Sequence, residues 1–246
     1  MNGSHQLKIL SALLLTITTT QAFSYDFIQE LREGHPILQL GGYQGHQGNA
    51  QRVNISGLIG DYFTVTKDND INGLAGIGYF IDGQETKSFR MTYGINAFYL
   101  GETTVKGTVI QEDLFTNLSY DYSIEHYPVY LMAKSIIPTK FANEEVTLDV
   151  GIGPNFMVTG WLNEYSLDNG ITIPDRIFSN NTSTTFSATA GLAVRFNKLF
   201  NSSSLECGYR FFYLGEGRLN PLSNQVINVL HTGNVYANAL TCGITV

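Results

Sequence analysis

The sequence predicts an all-β protein: an antiparallel up-and-down transmembrane β-barrel with a filled lumen, of eight strands, with ten as the alternative. Three observations predict it. Apolar residues alternate with small or polar ones at period two in segment after segment, the pattern of strands with two unlike faces. Beyond the first twenty-odd residues no apolar run reaches the roughly 20 residues that a membrane-crossing helix needs. Connections alternate between short (83–88, 138–144, 198–203) and long and polar (44–72, 162–183, 216–233), as in barrels with short inner turns and long outer loops.

The chain opens with a processing segment. Lys8 closes a polar start, Ile9 to Ile17 form a short apolar core, and Thr20/Ala22 are small residues at spacing two. Residues 1–22 are therefore expected to be a cleaved signal peptide, and 23–35 a periplasmic lead into a barrel covering 36–246. Without Lys8 the chain carries 13 basic and 21 acidic residues, a balance of −8. That balance argues against a nucleic-acid partner, which requires a basic footprint. Charged residues are only 14% of the chain, too few for an ordinary solvated surface.

The strands follow in order. PILQLGGY (36–43) is a short first strand, and VNISGLIGDYFTV (53–65) is strand-like with poor parity. LAGIGYFID (74–82) and FRMTYGINAFY (89–99) each show one apolar face. In 115–127 the apolar set Leu118, Tyr120, Tyr122, Ile124 has the opposite parity to Val129, Leu131, Ala133 of PVYLMAK. A bulge near Glu125–Pro128 is expected to reconcile the halves. VTLDVGIGPNF (146–156), FSATAGLAVRF (186–196), LECGYRFFY (205–213) and YANALTCGITV (236–246) complete the set. The count is eight if 53–65 extends the first hairpin and 88–111 and 115–137 are single strands, and ten if they break.

The charges on the small faces are informative. Facing residues of a hairpin have a constant index sum. A sum of 172 sets Asp82 opposite Arg90, 283 sets Lys134 opposite Asp149, and 401 sets Arg195 opposite Glu206, with apolar faces in register. A charge facing lipid at mid-bilayer costs roughly 2–4 kcal/mol, more than the roughly 0.2–1 kcal/mol a cross-strand pair contributes. These residues, with Arg210, are therefore expected inside, as structural ion pairs at the periplasmic end. A soluble β-sandwich shows the same alternation. Its water-facing positions, however, would carry Lys, Glu and Thr rather than the Gly, Ala and Ser found here, which suit a narrow interior crossed by a few large side chains.

Cys207 and Cys242 share an outward face, and a sum of 449 places them opposite each other. Export permits a disulfide; two small apolar residues facing lipid are the alternative. No metal site, cofactor or catalytic group is expected. His126 beside Glu125 is the one close acid–histidine pair, and adjacent strand residues point to opposite faces. The Asn-x-Ser/Thr triplets at Asn54, Asn117, Asn180, Asn181 and Asn201 are read as compositional, and the glycine pairs form no phosphate loop.

On this alternation, on FSATAGLAVRF followed by a turn and LECGYRFFYLG, and on its strand-forming C-terminus, the sequence resembles the small outer-membrane β-barrel family that includes OmpA-like, OmpX-like and opacity-type barrels. The resemblance spans residues 36–246 and departs from the family in ending on Val246 rather than an aromatic residue. It implies a place in the cell outer membrane, contact with lipid and lipopolysaccharide, and insertion by the barrel-assembly machinery. It also implies a non-enzymatic structural or surface-contact role through the outer loops, with an extracellular or host ligand among the implied partners. A transport barrel for small hydrophobic molecules and a lipid-modifying enzyme are the alternatives.

Overall fold

The computed structural model describes residues 34–141, 143–200 and 203–245, with the backbone only at 198–200. The expected signal peptide at 1–22, nearly all of the 23–35 lead, and Val246 lie outside the described residues. Eight long strands form the wall: β1 (His35–His46), β2 (Asn69–Glu85), β3 (Arg90–Gln111), β4 (Phe115–Pro138), β5 (Glu144–Thr159), β6 (Asn181–Phe200), β7 (Ser203–Arg218) and β8 (His231–Thr245). Each pairs antiparallel with its chain neighbour, and β8 returns to β1 with Leu40 opposite Cys242. Closure leaves no sheet edge facing lipid, the condition under which strands can cross a bilayer.

The strand number is eight because 53–65 does not enter the wall. Residues 51–53 and 61–63 pair with each other, and 61–63 lie along the top of β3, with Phe63 opposite Val109. Residues 163–166 add to the outside of β4, and 178–179 pair with 220–221. These pieces roof the outer end of the barrel. At the other end the turns are short. Thr86 closes one by accepting from the Phe89 N–H at 3.2 Å, and Thr139 closes another by donating to the Glu144 carbonyl at 2.9 Å.

A band of apolar side chains circles the wall. Leu38, Ile77, Ile95, Leu131, Val150, Ile152, Leu192 and Leu240 are all exposed, which only a lipid environment satisfies without penalty. The band ends at a ring of aromatics. Tyr127 stands opposite Phe156 in the β4–β5 ladder, the Tyr99 and Tyr127 rings lie 5.2 Å apart, and Tyr213 and Tyr236 are 5.6 Å apart. Such girdles mark the bilayer boundary.

Above the ring the pattern inverts, and this corrects the sequence reading of 115–127. Leu118, Tyr120, Tyr122 and Ile124 are buried inside, while Tyr127 and Leu131 face out. No bulge separates the two halves of β4. Its ladder with β5 runs in one register from Ile124 opposite Thr159 to Pro138 opposite Glu145. Of the two irregularities in the β3–β4 ladder, the one at this height lies in β3, between Leu100 and Thr103, and the other lies near the top of the strands, between Val109 and Ile110. The backbone parity is constant and the solvent changes. Where β4 leaves the bilayer its outer face meets water, so the apolar set turns inward as in a soluble barrel.

Candidate functional site

The site is the lumen, layered from the inner mouth to the roof. The lowest layer holds charges. Lys134 and Asp149 face each other in the ladder, as do Arg195 and Glu206. The side chains, however, choose partners elsewhere. Lys134 Nζ donates to Glu206 across the lumen at 2.8 and 3.0 Å, and Arg210 meets both carboxylate oxygens of Asp149 at 2.7 and 2.8 Å. All four are nearly inaccessible to solvent. Arg195 donates to Ser204 Oγ at 3.0 Å and lies 3.9 Å from Glu145.

One expected pair is absent. Asp82 does not face Arg90: the β2–β3 ladder sets Asp82 opposite Thr92 and then, after an irregularity, Glu85 opposite Arg90. The hairpin is longer than the sum of 172 assumes. Asp82 is exposed and sits 3.3 Å from His35 Nε2, while Arg90 is half-buried at the mouth with no hydrogen-bond partner for its Nε among the described residues. The Cys207 and Cys242 sulfurs are joined in a disulfide between facing positions of β7 and β8.

The next layers hold the few large side chains that the sequence expects across the narrow interior, Phe80, Tyr130, Met132 and Phe212, joined by Phe98. Phe80, Phe98, Tyr130 and Phe212 fill the cross-section. Phe98 makes edge contacts with Phe212 at 5.2 Å and with Tyr130 at 6.2 Å. The cations rest on this layer: Lys134 Nζ is 5.0 Å from the centre of the Phe80 ring, and the Arg210 guanidinium 5.4 Å from that of Phe98. Contacts of this kind add roughly 0.5–2 kcal/mol each. Asn96 donates to Gln39 at 2.7 Å, and Tyr130 bonds Ser187. Higher up, Asn155 joins His126 Nδ1 at 3.1 Å and donates to the Leu214 carbonyl at 2.8 Å. Glu125 points outward and accepts from the Tyr127 hydroxyl, so the adjacent acid and histidine do not meet.

The roof is an apolar core. Phe63 packs edge-on against Tyr120 and Phe178, and Leu162, Leu219 and Leu230 are buried around them. Its rim carries carboxylates. Burial raises both Asp61 and Glu164 above the usual carboxylate range, and Asp175 adds repulsion to each. The folded roof therefore holds these protons more tightly than the unfolded chain does. The stability they contribute is present at low pH and is lost as pH rises through the raised folded-state values. Protease nicking of the 160–180 connection is expected to slow on mild acidification, and Asp61→Asn with Glu164→Gln to flatten that dependence. An unchanged slope in the double variant would assign it to other groups.

At the inner mouth the open space between Arg90, Lys134 and Arg195 is about 20 Å3, room for about one water. Among the described residues, buried side chains occupy the lumen at the ion pairs, at the aromatic layer and at the roof.

No family model matches this sequence, and no curated protein sequence matches it. Among solved structures the chain is similar to Neisserial surface protein A, with 11% identity, a TM-score of 0.46, and coverage of 87% of this chain and 96% of that one. It is also similar to the outer membrane protein OprG of Pseudomonas aeruginosa, at 13% identity and a TM-score of 0.48, covering 87% and 96%. The outer membrane protease OmpT of Escherichia coli matches at 8% identity and a TM-score of 0.48, covering 86% and 95%. These values support no inference about activity. The barrel rests on its own closed ring of ladders.

Proposed function

We propose that this protein is a non-enzymatic barrel of the Gram-negative outer membrane, impermeable to solutes, acting in envelope integrity or surface contact through its roofed outer end. The observation that carries the reading is the lumen itself. Two buried ion pairs, an aromatic layer and an apolar roof occupy successive cross-sections. The apolar band and its aromatic ring supply the membrane address, with outer-leaflet lipid and lipopolysaccharide as neighbours and the assembly machinery as the route in.

The test is conductance. Purified protein in planar bilayers is expected to give no steady current, and steady openings would favour a transport barrel. Unheated and heated samples are expected to migrate differently on a denaturing gel. Recovery as a soluble periplasmic protein without such a shift would remove the membrane reading. Unchanged lipid A masses on expression are expected, and a changed mass would favour a lipid-modifying enzyme.

A further inference from the structure

Among the described residues the outer end of the wall parts at two seams. β2 leaves β3 above Leu74 opposite Leu100, where the Asn72 and Asp70 side chains bridge to the Glu102 carbonyl and the Thr104 N–H. β6 leaves β7, where a cavity opens. β6 and β7 pair upward only as far as Ala188 opposite Tyr213. Both strands continue: β6 stays on β5 up to Asn181 opposite Thr159, and β7 stays on β8 up to Arg218 opposite His231. They part at Gly215, which has φ +80° and follows an irregularity after Tyr213. A Cβ there would come within 2.7 Å of the Phe186 carbonyl and the Thr185 side chain, so this corner requires glycine.

Between the parted strands lies a cavity of about 390 Å3, lined by residues 181–185, residues 216–218 and His231. It lies within the roughly 300–1,000 Å3 range of ligand pockets. Side chains frame it above and below. Asn181 donates to the Arg218 carbonyl at 3.0 Å, and Thr185 donates to the Leu214 carbonyl at 2.7 Å. Behind it the wall is shut by buried Met157 and Thr232, with Thr232 Oγ1 accepting from the Gly217 N–H at 2.8 Å. The window is blind, and its exposed lining residues Thr182, Thr184, Glu216 and Arg218 open it to the outside.

The chemistry of the lining selects the ligand. A row of hydroxyls and an amide faces one carboxylate, one guanidinium and one imidazole, with His231 Nδ1 3.8 Å from Glu216. The acid offsets the base, so the site is no anion trap, and the hydroxyl wall offers nothing to an acyl chain. An inserted peptide strand would have to pair with the backbone on both sides, and the Asn181 and Thr185 side chains already occupy the Arg218 and Leu214 carbonyls of β7. Donors and acceptors in mixed array suit a polyhydroxylated ring. Just below, exposed Phe186 packs 6.5 Å from Tyr213 in the aromatic ring, so the window opens at the height where outer-leaflet headgroups begin.

We infer that this window is a saccharide-binding site, filled by sugar rings of a glycan. Its height, which rests on the membrane reading above, points to the headgroup of an outer-leaflet glycolipid. The probes are core oligosaccharide released from rough-type lipopolysaccharide, added to protein in micelles, and the intact lipopolysaccharide in nanodiscs. Amide shifts at 181–185 and 216–218 report binding. Thr184→Val and Glu216→Gln are each expected to weaken binding at least tenfold while keeping the heat-dependent gel shift that marks a folded barrel. Binding of the free oligosaccharide assigns the site to the glycan alone. Binding of the intact lipid only assigns it to a headgroup held in the membrane. No binding of either, or equal binding by both variants, overturns the inference. Loss of the wild-type gel shift would instead strike the membrane reading, and sugar binding would still be readable in micelles.

Discussion

Replacing Asp149 by alanine is expected to cost the barrel about 3–5 kcal/mol, because it leaves Arg210 charged and buried without a counter-charge. The pair is almost fully enclosed, with side-chain exposures of 4% for Arg210 and 1% for Asp149. Its Coulomb energy is therefore little screened, and a lone guanidinium has few routes to water. The converse change is expected to be mild. Asp149→Leu combined with Arg210→Met removes both charges, and such exchanges of buried pairs for apolar groups are often neutral or stabilising. Urea unfolding from lipid vesicles, followed by tryptophan fluorescence and the gel shift, measures both. An Asp149→Ala variant within about 1 kcal/mol of the parent, small against that cost, would mean that water reaches the pair from the inner mouth.

The same pair shows what was legible in the sequence. Index sums across the short turns set Lys134 opposite Asp149 and Arg195 opposite Glu206, and the ladders contain both pairings. They did not give the partners, because a side chain inside a narrow barrel can reach past its neighbour or across the axis. The missing quantity was the β5–β6 register, which spans a long outer connection. That ladder puts Gly191 opposite Asp149, and the next puts Gly191 opposite Arg210. Arg210 thus reaches Asp149 over a glycine. A Cβ on Gly191 would lie 2.9 Å from the Asp149 oxygens and 3.0 Å from Arg210 Nη2. The small face of FSATAGLAVRF leaves room that charges occupy, and which charges occupy it depends on a register that no short turn fixes.

The roof was illegible for a different reason. Alternation reports the contrast between two faces and does not name the solvent on either. Tyr120 and Tyr122 inside, with Ser119 and Asp121 outside, read as a phase error if lipid is assumed along the whole strand. The long strands β3 and β4 cross from lipid into water; in β4 the apolar set turns inward without a bulge, and in β3 the crossing coincides with the irregularity between Leu100 and Thr103.

Phe212→Ala is expected to destabilise the barrel by about 3–5 kcal/mol and yet to leave it non-conducting. Phe212 is fully buried, contacts Phe98 edge-on at 5.2 Å and lies 6.2 Å from Tyr130. The rings around it are held by a closed backbone, so collapse into the vacated space is limited and the cavity contribution is large. A void at mid-height is still no pore. The Asp149–Arg210 and Lys134–Glu206 pairs lie below it, and Leu214, Met157 and Ile124 are buried above. The seal is spread over several layers, so one truncation should move the unfolding midpoint without producing current. Steady openings in the Phe212→Ala variant would make the aromatic layer a single gate. The filled lumen would then be a closed state of a channel rather than a permanent core.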